Sequence, residues 1–166
     1  MEIFLFLVGL WIFFSIKAKK QSKQIKQLQK QHEQDVAATQ RDYDDYMANL
    51  PELDGDEQFQ ILLFGSDRFA ETLDLYADWL LRNHPDNRQI WVIVDRDEHH
   101  EFDPSAVKVE AGLTTFGYVP RDRAKEFCDF IDEVGPMKAS ARFEVDPYGT
   151  NHKIWLDAKK PLSVKP

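Results

Sequence analysis

The stretch EHHEFDPSAVKVEAGLTTFGYVPRDRA, residues 98–124, runs a charged loop, a hairpin and a helix start into one continuous segment. AVKVEA and TTFGYV flank Gly112 and favour β structure, which reads as two strands joined by a turn. Pro120 then opens a helix, because its fixed φ and missing N–H cost nothing at a first helical turn. Ala124, Phe127, Cys128, Ile131 and Val134 follow at helical spacing, and Gly135 with Pro136 stops the run.

Upstream, IWVIV (90–94) reads as a strand feeding the charged loop, and FQILLFG (59–65) as a buried strand. Between them, FAETLDLYADWLL (69–81) places Leu73, Tyr76, Ala77, Leu80 and Leu81 on one helical face, and the polar run 83–87 ends it. Downstream, KASARFEV (138–145) and HKIWLDA (152–158) alternate as strands across Asp146, Pro147, Tyr148 and Gly149. The order β-α-β-β-β-α-β-β predicts an α+β class, a small barrel or curled sheet and not a parallel α/β fold.

Further outward, the chain has 166 residues, which suits one domain with additions. Ile3 to Phe14 is unbroken apolar sequence, and the lysines from Lys17 onward meet no acidic residue before His32. Glu2 before the apolar run and SIKAKK after it fit an uncleaved anchor over 1–16 better than a secretory signal or an interfacial or buried helix. By the positive-inside tendency the expectation is a single-pass membrane protein, N-terminus outside and the rest cytoplasmic. Residues 17–50 lack Gly and Pro and read as a polar helical stalk. Its apolar stripe is coiled-coil-like from Val36 onward, so self-association through the stalk is weighed against a solvated spacer. Residues 51–58 read as a linker, 59–160 as the domain and 161–166 as a tail.

Net charge is −8, yet from Pro51 onward 14 Lys/Arg face 23 Asp/Glu, so an unselective grip on polyphosphate is disfavoured there. The lone Cys128 closes no disulfide within the chain and reads as a small core residue. Phosphate-binding, dinucleotide, zinc-protease and nucleophile-elbow motifs are all missing, so no enzyme and no cofactor are expected. The acidic and imidazole groups between Asp95 and Asp103 match no metal loop, and solvated loop charges are the expected account.

The opening stretch, together with LLFGSDRF (62–69), resembles the HIRAN domain family. The family pattern is an opening strand ending in Gly, a short loop with Arg-aromatic, then N-P-Y-D-x-x-A-V and V-G-Y-L-P-R. The likeness covers about residues 57–160 and implies an OB-like barrel that binds single-stranded DNA and recognises its free 3′ end. Carried over by position, it implies that Arg68 meets a phosphate, Phe69 and Phe102 stack on terminal bases, and Asp103 accepts the 3′ hydroxyl. Tyr118 falls at a further contact position. His100 and Glu101 depart from the family's Asn-Pro, and both aromatics are Phe.

The chemistry stands without the family. Base stacking on an aromatic ring contributes about 1–3 kcal/mol and tolerates any sequence. A carboxylate accepts a hydrogen bond from a terminal hydroxyl and repels a terminal phosphate. Each residue also has a plain structural reading, in which Phe69 starts a helix face, Phe102 covers the barrel mouth and Asp103 before Pro104 caps a turn. The expected function is a membrane-tethered module for single-stranded DNA ends, without catalysis of its own. The rival is a membrane-anchored protein-interaction module with an acidic barrel surface.

Overall fold

The computed structural model describes residues 28–32, 34–112, 114–146, 148 and 152–166. The expected anchor, 1–16, lies outside them, as do Pro147 and Gly149 of the last expected turn. The chain divides into two compact units, Met1–Tyr46 and Met47–Pro166. In the first, residues 28–32 and 34–46 are helical, and Leu28 and Val36 stand exposed on that stalk helix. Among the described residues no helix is long and apolar enough to cross a membrane.

The second unit carries the expected element order. Strand β1 (Ile61–Leu62) leads through a 3₁₀ turn (Ser66–Phe69) into helix α1 (Ala70–Asn83). Strands β2 (Gln89–Arg96), β3 (Val107–Ala111) and β4 (Thr114–Tyr118) precede helix α2 (Arg121–Val134), and β5 (Met137–Glu144) and β6 (Lys153–Leu156) follow it. The six strands form one antiparallel sheet in the order β1-β6-β5-β2-β3-β4. It curls into a half-barrel, helped by strand twist and by a register shift between Val109 and Glu110. Curling brings the two edges together at one place. Phe64, just past β1, and Tyr118, at the end of β4, exchange two backbone hydrogen bonds of 2.8 Å.

The core follows from the two periodicities. On β5, Met137, Ala139, Ala141 and Phe143 point inward at every second position, while on α1 Leu73, Ala77 and Leu80 are buried at three- and four-residue spacing. Helix α2 buries Ala124, Phe127, Cys128 and Ile131, as its spacing predicts. Leu81 is an exception: it lies beyond the edge of the α1 stripe and is exposed. Removing a ring such as Phe127, which is wholly buried, would cost about 3–5 kcal/mol.

Strand limits differ from the expected ones for local reasons. β1 starts only at Ile61 because Phe59 has φ of 51°, outside the extended region. The segments read as linker and tail are paired into the domain. Leu53 is buried and donates its N–H to the Lys138 carbonyl at 2.8 Å, and it bridges Val164; the Lys165 N–H reaches the Glu52 carbonyl, also at 2.8 Å. A single apolar residue between Pro51 and Asp54 has no period to reveal it, so its burial is invisible in the sequence.

Candidate functional site

The edge closure makes a groove. Phe64, Arg68, Phe102, Asp103, Tyr118 and Arg121 are among the side chains lining a cleft of about 420 Å³ where the end of β1, the β2–β3 loop and the start of α2 meet. Four of the five residues singled out from the sequence therefore share one groove. Arg68, the adjacent pair Phe102 and Asp103, and Tyr118 come from three separate segments, and the Phe64–Tyr118 pairing brings the segment before Arg68 to the end of β4.

The closure needs a residue without a side chain. At Gly117, φ is 151°, and a Cβ there would lie 3.0 Å from the Phe64 carbonyl oxygen and 3.2 Å from the Leu63 Cβ. Any other residue would be strained and would push the edges apart.

The β2–β3 loop is ordered by its own polar groups. His100 Nδ1 accepts the backbone N–H of Asp103 at 3.1 Å and, more weakly, that of Phe102 at 3.4 Å. An accepting Nδ1 carries no proton, so this geometry belongs to neutral His100. The His100 ring also meets the Tyr118 ring edge-on, with centroids 5.1 Å apart.

Asp103 is half committed. Its Oδ1 accepts the Ser105 N–H at 2.9 Å, the turn-capping role that Asp before Pro suggests, while Oδ2 faces the Arg121 guanidinium at 3.6 Å. That distance is an ion pair and not a tight hydrogen bond, and the Arg121 side chain is largely exposed. Tyr118 donates its hydroxyl to Asp97 Oδ2 at 2.9 Å. Burial first, then the Asp97 hydrogen bond and charge, raise the Tyr118 phenol above its ordinary range, and nearby Arg68 offsets this in part.

The two expected stacking rings part company. Phe102 is 75% exposed on the loop at the groove. Phe69 sits at the junction of the 3₁₀ turn and α1, half-buried against the core, with its ring 6.3 Å from that of Tyr118. It begins the apolar face of the first helix, the plain reading of that residue, and stands behind the groove lining. Phe64, His100 and Arg121 line the groove without having been picked out from the sequence. The available signal for Phe64 was strand alternation: Ile61 and Leu63 point in, so Leu62 and Phe64 point out.

Among the described residues, no three His, Cys, Asp or Glu side chains converge as a metal site would require. In comparison with known proteins, no family model, no curated protein and no solved structure matches this chain.

Proposed function

We propose that this protein is a HIRAN-like, OB-type barrel module that binds the end of single-stranded DNA and acts without catalysis of its own. The observation that carries the reading is the convergence of Arg68, Phe102, Asp103 and Tyr118 on one groove. A flat exposed ring, two guanidinium groups and a carboxylate are what a strand terminus asks for: a base face, phosphates and a hydroxyl. Asp103 Oδ2 is the acceptor for the terminal hydroxyl, and Arg121, loosely paired with it, turns to a phosphate when the strand enters. A terminal phosphate would meet the same carboxylate and be repelled.

The proposal extends to the N-terminus. The apolar run from Ile3 to Phe14 followed by lysines tethers the module to a membrane, with the barrel on the cytoplasmic side and the stalk free to self-associate. The support for this part is sequence alone.

The test is fluorescence anisotropy of the purified full chain with short oligonucleotides ending in 3′ hydroxyl or 3′ phosphate. Preference for the hydroxyl, lost in Phe102→Ala and in Asp103→Ala, is the expected result. Two engaged phosphates give a shallow salt dependence, a log–log slope of about −1.4 for a single strand. Indifference to every oligonucleotide at low salt would sink the reading. The excess of Asp and Glu over Lys and Arg after Pro51 would then favour the acidic protein-interaction surface.

A further inference from the structure

We infer that Phe64, and not Phe69, is the second ring on which the bound strand stacks, working with Phe102 on the last two nucleotides. The inference rests on the nucleic-acid reading above and assigns its stacking surface.

Three observations carry it. Phe64 is 72% exposed and lines the same groove as Phe102, whereas Phe69 spends its apolar face on the core. An outward Phe at a groove contributes little to folding, because its ring leaves water only when something covers it. The backbone beneath it is fixed: both polar groups of Phe64 are engaged with Tyr118 at 2.8 Å, and Gly117 lets the strands approach. A ring held on a rigid edge is preorganised, so little ordering entropy opposes stacking. Charge agrees, since Arg68 and Arg121 line the same groove as Phe64 and Phe102. Two rings and two guanidinium groups match two successive nucleotides of an unpaired strand, whose base faces are open. A duplex keeps those faces stacked internally.

The experiment uses the full chain and a 5′-fluorescein oligothymidylate ending in 3′ hydroxyl. Phe64→Ala is expected to weaken binding about 5- to 150-fold, the equivalent of one lost base stack. Phe64→Leu retains apolar bulk without a π face and should weaken it nearly as much. Phe69→Leu, with folding checked by far-UV circular dichroism, should stay within about threefold of the parent. Replacing the last two nucleotides by abasic sites should remove most of the Phe64→Ala effect, because the ring then has no base to meet. If Phe64→Ala binds like the parent while Phe102→Ala does not, or if abasic ends leave its penalty intact, the assignment is overturned and end binding survives. If the unsubstituted chain binds no oligonucleotide, the underlying reading falls with it.

Discussion

Asp103 and Asp157 each organise a turn, and the contrast between them separates structure from function in this molecule. Asp157 is only 5% exposed, and both its oxygens are occupied, Oδ1 by the Asp56 N–H at 3.2 Å and Oδ2 by the Glu57 N–H at 3.1 Å. It latches the segment before β1 onto the end of β6. Asp103 gives one oxygen to Ser105 and leaves the other loosely facing Arg121 at 3.6 Å. A saturated carboxylate has nothing to offer a ligand, whereas a half-committed one at a groove can exchange a weak partner for a better one.

The latch should break hardest. A Cβ at Gly55 would fall 2.1 Å from Asp157 Oδ2, so Gly55→Ala must expel or twist the buried carboxylate. We expect a loss of about 2–3 kcal/mol in urea unfolding, with oligonucleotide affinity unchanged below the transition. Asp157→Ala, which strands two backbone donors, should cost about 2 kcal/mol. Because both changes act on one contact, the double variant should lose clearly less than the two losses added together. Additivity would show that the latch is not a single unit.

The groove aspartate should behave in the opposite way. Asp103→Asn keeps an acceptor for Ser105 and removes the charge, so stability should move by less than about 0.5 kcal/mol. The proposed preference for 3′ hydroxyl over 3′ phosphate should fall towards parity, read by anisotropy with both oligonucleotides. A large drop in stability with preference intact would make Asp103 a second latch and erase the contrast.

His100→Ala sharpens the comparison at smaller amplitude. It removes the acceptor shared by Phe102 and Asp103, so backbone amides 102 and 103 should exchange with deuterium faster, while those of β5 stay protected. Equal protection in parent and variant would mean the loop is held by other contacts.

The smallest effect is a pH dependence. Tyr118 has a raised phenol pKa in the folded chain, so as pH climbs past about 10 the unfolded chain loses this proton first. The stability contributed by the Tyr118–Asp97 hydrogen bond is therefore full below that value and declines above it. Tyr118→Phe should flatten this alkaline limb in urea melts between about pH 8 and 11. An identical limb in the variant would assign it elsewhere.

Much of the fold was legible because period and punctuation are local. The stripe Ala124, Phe127, Cys128, Ile131 and the stops at Gly135 and Pro136 place α2 nearly to the residue. Met137 to Phe143 alternates as β5 requires. Leu53 and Val164 were not legible as partners, since a pair 111 positions apart with one bridge each leaves no periodic trace. Within the site, Arg68, Phe102, Asp103 and Tyr118 could be picked out by residue type and motif. Phe69 was equally plausible by type, and its half-burial follows from packing at the start of α1, which only three dimensions reveal.

By itself, then, the sequence determined the element order, most of the inward faces of α1 and α2, the acid balance of the domain and the residue kinds at the groove. Tertiary structure decided which of them meet. A two-bond closure between Phe64 and Tyr118 joins segments that share no local signal, and Phe64 lines the groove at that closure while Phe69 packs against the core. Local chemistry fixes what a side chain can do, while its company depends on long-range pairing that no short stretch encodes.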